Sequence, residues 1–201
     1  MVKERVRKQK QVSVKKGKLP KKICVNDITL FKVSLKNDNN ILNELLELYT
    51  KNKKHLLYWH HEWKELLFKN IIGIKKHLTK KKLICYVIYY FDKIIGCLEI
   101  SKLYTDNEKF KCRDLSYWID KSSVKKGIMY KCLNLFEKIF IEQKLNALTA
   151  DIDAENIPSI KLVEKLNFKR FSASFVISAD AKTACHFYTY KKILCNTKIK
   201  H

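Results

Sequence analysis

The sequence predicts an α+β domain, a mixed and mostly antiparallel sheet with flanking helices. Three observations predict it. Three strand-like runs, residues 83–91, 93–104 and 110–119, follow one another through short turns, which marks an antiparallel meander. The pattern then changes to strand, amphipathic helix and strand, the order of a crossover unit. The 201 residues, 46% of them apolar and 11% aromatic, lie within the roughly 250 that one core can serve, and they exclude a wholly disordered chain.

Along the chain, residues 1–22 hold ten Lys/Arg and one Glu, so this stretch carries +9 (10 − 1) and too few apolar side chains to form a face. It reads as a flexible basic arm, either a solvated tail or a segment making weak RNA or ribosome contacts, and residues 23–201 read as one domain. Residues 28–34 read as a strand. Asp38 offers an N-cap for a helix over 41–50, where Ile41, Leu45, Leu48 and Tyr49 share a face. A second helix is expected over 58–78, gathering Trp59, Trp63, Leu66, Leu67 and Ile71. Asp92-Lys93 is expected to form a tight hairpin turn, and 105–109 a looser one. After Gly127 a helix runs to about Gln143 with Met129, Cys132, Leu133, Phe136, Ile139 and Phe140 inward. A strand over 145–152 follows. Asn156 and Pro158 then open a short helix over 159–166, and strands over 171–178 and 184–193 end the domain.

The formal charge is +22, from 42 Lys plus Arg against 20 Asp plus Glu, and only four of the cations are Arg. Such a balance fits compositional bias as well as a binding footprint, since phosphate recognition usually favours arginine. No apolar stretch approaches the roughly 18 residues of a membrane span, and no charged n-region leads into an apolar h-region, so a cytoplasmic location without membrane contact is expected. The seven cysteines, at 24, 85, 97, 112, 132, 185 and 195, form no CxxC pair and sit mostly in apolar runs, which suits free buried thiols. His60-His61-Glu62 lacks the second histidine of HExxH, because Glu65 follows three residues later, and no metal site is expected.

In open sheets the ligand crevice lies at the carboxyl ends of strands where neighbours part, which here is between strands 110–119 and 145–152. The turn from Ser122 to Met129 leads into the helix whose N-terminus presents unpaired N–H groups there. Lys125 and Lys126 stand beside Gly127. By residue type alone it is either an anion cradle or an ordinary strand-to-helix turn. It is not a P-loop, because GxxxxGK[ST] is absent.

Tyr117-Trp118-Ile119, Lys126-Gly127-Ile128-Met129, Leu145-Asn146, Glu155-Asn156-Ile157-Pro158-Ser159 and Glu164-Lys165-Leu166-Asn167-Phe168 occur in that order. Together they resemble a GNAT N-acetyltransferase, most closely the RimJ/RimL branch that acetylates ribosomal proteins, with the similarity covering residues 111–170. The resemblance implies the acyl-CoA N-acyltransferase fold and acetyl-CoA as acyl donor. It implies that pyrophosphate sits on the amides around Val124, Lys125, Lys126, Gly127, Ile128 and Met129. The pantetheine arm would pair along Tyr117, Trp118 and Ile119. Asn156 matches a cofactor-contacting position and Ser159 a position that protonates the departing thiolate, although both can equally serve as helix caps.

Some positions depart from the family pattern. Val124 replaces the usual Gln or Arg, Lys125 stands where relatives often have Gly, and Met129 fills a small-residue position. Asn167 replaces a Gly and can still take the left-handed conformation. Thr149 and Ser178 stand where relatives carry Glu. The general base is therefore sought at Asp114, matching an acidic position on the Tyr-Trp strand, and at Glu99, with Tyr188 or Tyr190 as further donors to the thiolate. The expected reaction moves acetyl to an amine, preferably a protein N-terminal α-amino group such as that of a ribosomal protein. Alternatives are a polyamine or other small amine as acceptor, and a catalytically degenerate ribosome- or RNA-binding module.

Overall fold

The computed structural model describes residues 19–59, 69–177 and 184–194. Its strands are β1 (Lys22–Val25), β2 (Ile28–Lys32), β3 (Ile84–Tyr90), β4 (Lys93–Ile100), β5 (Tyr104–Thr105), β6 (Lys111–Ile119), β7 (Ala147–Asp153), β8 (Lys169–Ile177) and β9 (Ala184–Ile193). The helices are α1 (Asn39–Lys51), α2 (Lys53–Trp59), α3 (Ile71–Lys80), α4 (Ile128–Glu142) and α5 (Ile157–Lys165). The strands form one nine-stranded sheet in the order β1-β2-β3-β4-β6-β7-β9-β8, with β5 beside β6. Among the described residues only the β6–β7 pair is parallel, as expected of two strands joined by the α4 crossover. The mixed, mostly antiparallel α+β class is the one the sequence predicts.

Period-2 alternation along the strands gives the sheet two apolar faces. On one, Leu98, Leu115, Leu148 and Ile152 pack with Ile128, Met129, Cys132, Leu133, Phe136, Ile139 and Phe140 of α4 and with Ile160 and Val163 of α5. On the other, Cys85, Val87, Cys97 and Trp118 pack with Leu42, Leu45 and Tyr49 of α1, Leu56 of α2, and Ile74 and Leu78 of α3. The apolar spacing read for α4 is thus the spacing of its buried stripe.

Several elements differ from expectation. β1 and β2 form a hairpin through Asn26, which takes a left-handed φ of 51°. This strand lay in a stretch too short and too cationic to show alternation. The single helix expected over 58–78 is broken at residues 69–70, ahead of α3. Asn70 restarts the helix, its side chain accepting a 3.0 Å bond from the Gly73 N–H, and Trp63, Leu66 and Leu67 lie outside the described residues. Asp38 does precede α1, but its carboxylate accepts from the Ser34 N–H at 2.7 Å and bonds no N–H of the helix. The β3–β4 hairpin turns on Phe91 and Asp92, both left-handed (φ 45° and 61°), one residue earlier than expected. Strand 93–104 divides into β4 and β5.

Candidate active site

β6 carries the centre of the site. Its first half pairs in parallel with β7, Cys112 with Ala147 through Asp114 with Thr149, and there the ladder stops. β6 continues to Ile119 and β7 to Asp153, so two strand ends part with unpaired backbone edges between them. The other edge of β6, Leu115 to Ile119, is taken by β4. Gly96 makes that approach possible, since a Cβ there would collide with the Trp118 carbonyl.

At the end of β6 the chain turns through Asp120 to Gly127 into α4. Lys125 and Gly127 both adopt left-handed angles, φ 62° and 71°, with one residue between them. Such alternation turns successive N–H groups toward one point. The first helical bond runs from the Lys131 N–H to the Gly127 carbonyl at 3.1 Å, so the N–H groups of Ile128, Met129 and Tyr130 precede the ladder. Val124, Lys125, Lys126 and Gly127 are exposed, and no atom stands within 4 Å of where a Cβ on Gly127 would point. The turn is therefore an open, cationic, donor-rich cradle at a helix N-terminus, suited to phosphate.

Side chains flank the parted strands on both faces. On the α4–α5 face the Tyr117 hydroxyl is buried and no hydrogen bond of ordinary geometry reaches it, while burial raises its pKa and the Ser159 hydroxyl beside it pulls the other way. Ser159 lies in the first turn of α5, where its N–H donates to the Asn156 side chain at 3.3 Å. Asn156 is thus the N-cap. On the opposite face the buried Trp118 Nε1 also lacks an acceptor. These two orphaned donors stand at consecutive positions of the strand whose free edge faces the gap. Tyr188 lies opposite Ile152 on β9, with the Arg170 guanidinium 4.8 Å from its ring centroid, and the Tyr190 hydroxyl donates to Glu164 at 3.2 Å.

Asp114 stands where the ladder ends. Its Oδ1 accepts from the Tyr104 hydroxyl at 2.7 Å and from the Thr149 hydroxyl, so one carboxylate oxygen is held by two donors that the sequence did not place together. The register that unites them depends on a parallel pairing between residues 35 apart. Glu99 is only 3% exposed and bonds His77 of α3 at 3.1 Å. It opposes Ser116 on the β4 side of β6, away from the gap. Beyond the gap, Asp151 and Asp153 alternate with the core residue Ile152 and so project from the α1–α3 face, with Glu155 following. Ser178 lies outside the described residues, and among the described residues no cluster of His, Cys, Asp and Glu can hold a metal ion.

Residues 42–169, more than half the chain, match the family model for the acetyltransferase (GNAT) domain. The chain belongs to the GNAT acetyltransferase family. It is an acetyl-CoA-dependent acyltransferase. A ribosomal-protein-S5-alanine acetyltransferase from Vibrio fischeri superposes with a TM-score of 0.71 at 19% identity, covering 88% of this chain and 98% of its own. RimL, a ribosomal L7/L12 α-N-protein acetyltransferase in complex with coenzyme A, gives 0.68 at 16% identity over 85% and 96%. RimJ of Mycobacterium smegmatis, in complex with a CoA disulfide, gives 0.67 at 14% over 83% and 81%. Comparison with curated protein sequences finds no match. In this GNAT domain the parted strands are β6 and β7. No helix among the described residues is long and apolar enough to cross a membrane.

Proposed function

We propose that the protein acetylates an amine with acetyl-CoA, and that its preferred acceptor is a protein N-terminal α-amino group. The observation that carries this reading is the parting of β6 from β7 at Asp114–Thr149, with the Gly127 cradle at the mouth of the gap. The amides of Lys125 to Met129 would receive the pyrophosphate, with Lys125 and Lys126 supplying charge and Val124 flanking it. The free edge of Tyr117–Ile119 would pair with the amide groups of the pantetheine arm, as a strand edge pairs with any extended chain. Trp118 and Tyr117 have buried donors that fit polar groups of that arm, and Asn156 borders it.

Transfer requires a neutral amine, a donor to the thioester oxygen, and a proton for the departing thiolate. The Ile119 N–H polarises the carbonyl. The amine nitrogen bonds the acetyl carbon as the carbon–sulfur bond breaks, and the Ser159 hydroxyl gives its proton to the sulfur and recovers one from solvent. Asp114, with Oδ1 occupied by Tyr104 and Thr149, takes the amine proton on its other oxygen through water. Tyr188 is the second candidate donor to sulfur.

Thiol release from acetyl-CoA with peptides bearing a free N-terminal serine or alanine tests the proposal. No release above the peptide-free rate overturns it. The exposed Asp151 and Glu155 on the α1–α3 face favour one second reading, a polyamine acceptor, because cations gain from nearby carboxylates. Faster release with spermidine than with either peptide would establish that reading instead.

A further inference from the structure

The helices on the α1–α3 face are bolted to the cofactor turn. Lys51, the last residue of α1, donates through Nζ to Asp120 Oδ2 at 2.8 Å. The buried Asn52 follows, and its Oδ1 accepts from the Lys121 N–H at 3.2 Å while its Nδ2 donates to the Leu48 carbonyl at 2.9 Å. Asp120 is equally fixed. Its N–H donates to the Ile95 carbonyl at 2.6 Å, its Oδ1 accepts from the Ser122 N–H at 3.0 Å, and its carbonyl accepts from the Ser123 N–H at 2.8 Å. Asn52 is also the joint between two helices, since the Leu56 N–H bonds its carbonyl at 2.9 Å to start α2. At the far end of α2 the Tyr58 hydroxyl reaches Glu155 at 3.5 Å, in the turn beyond β7. α2 therefore runs as a strut from the end of β6 to the end of β7, across the mouth where the strands part.

Resting on the acetyl-CoA reading above, we infer that Asn52 and Asp120 are positioning residues that couple cofactor binding at the Lys125–Met129 turn to the order of α2. Phosphates settling on the cradle fix residues 121–124, and the Lys121–Asn52 bond passes that restraint to the helix joint. α2, a formed helix inferred to border the acceptor groove, is then held more firmly when the acyl donor is in place. Coupling of this kind is reciprocal, so an occupied groove also tightens the hold on CoA.

Amide hydrogen exchange of the full chain, with and without CoA as the probe, tests it. CoA is expected to slow exchange in both 125–131 and 53–59, by about fivefold or more in α2. Asn52→Ala should abolish the effect on 53–59 while 125–131 stay protected. Asn52→Asp, which keeps an oxygen for the Lys121 N–H, should restore it. A residue serving only the fold would lower stability without separating the two segments. Protection of 125–131 with no change in 53–59 of the native protein overturns the inference and leaves the enzymatic reading intact, even if Asn52→Ala does not fold. Protection of neither segment overturns both.

Discussion

Gly127 and Lys125 hold left-handed backbone angles at the mouth of the gap, and each makes a separable demand. Nothing stands within 4 Å of a Cβ on Gly127, so Gly127→Ala meets only the conformational penalty, about 1–2 kcal/mol in urea denaturation. Gly127→Val should in addition raise the KM for acetyl-CoA about tenfold, because a shifted amide costs on the order of 1.4 kcal/mol of binding. Asn156 and Ser159 divide capping from chemistry. The Asn156 side chain caps α5 through the Ser159 N–H, so Asn156→Ala should cost about 1 kcal/mol of stability. Ser159→Ala leaves that bond in place, and kcat should fall about 100-fold with stability unchanged. Equal losses of stability in the two variants would contradict this division. Two left-handed positions were legible in the sequence, Gly127 in the cradle and Asn167 after α5 (φ 71° and 64°), whereas Lys125 gave no such signal. The clasp on Asp114 was not, because Tyr104 and Thr149 meet it only through the β6 register.

At the scale of elements, α2 and the turn after β6 answer to pH. Burial lowers the pKa of His55 in α2, and the charge of Lys121 lowers it further. The folded protein thus favours the neutral ring. Its contribution is complete above the unfolded value of about 6.5 and is lost as pH falls through the lower folded value. In an NMR titration His55 should have a midpoint below that of an unfolded histidine, rising toward it in Lys121→Met. A midpoint above about 6.5 would show that α2 does not lie against the turn. Burial alone would raise the Asp120 carboxyl, but the bonds from Lys51 and the Ser122 N–H hold it below its ordinary value. That contribution is present above about pH 3.9 and disappears as pH falls through the depressed value. The helix break at Asn70 carried a readable signal, an Asn three residues before Gly73, but the apolar period of Trp59, Trp63 and Ile71 runs through it and masked it. Periodicity reports which face is buried and is silent on whether one helix or two supply it.

For the whole molecule, the charge of +22 and the site chemistry separate. The antiparallel meander, the crossover and the buried stripe of α4 were legible because alternation and a long amphipathic helix dictate them. The pairing of Asp151 with Glu155 was not, since the two acidic residues share a face only after β7 is placed beside the parted β6. Residues 1–22 contribute +9 (10 − 1) to the total and are proposed to act apart from transfer. Leu19 is buried, and the Pro20 carbonyl accepts from the Tyr86 hydroxyl, so a truncation should end before Leu19. Deleting 1–18 should leave kcat/KM within roughly twofold, inside the ±0.5 kcal/mol of remote surface changes. A large loss would tie the arm to the reaction. Whether β6 and β7 part to hold CoA is decided by a crystal structure of the CoA complex. Pyrophosphate oxygens are expected within hydrogen-bond distance of the Gly127, Ile128 and Met129 amides, with the pantetheine arm along Tyr117–Ile119. CoA bound elsewhere, with the gap between β6 and β7 closed by side chains, would contradict this.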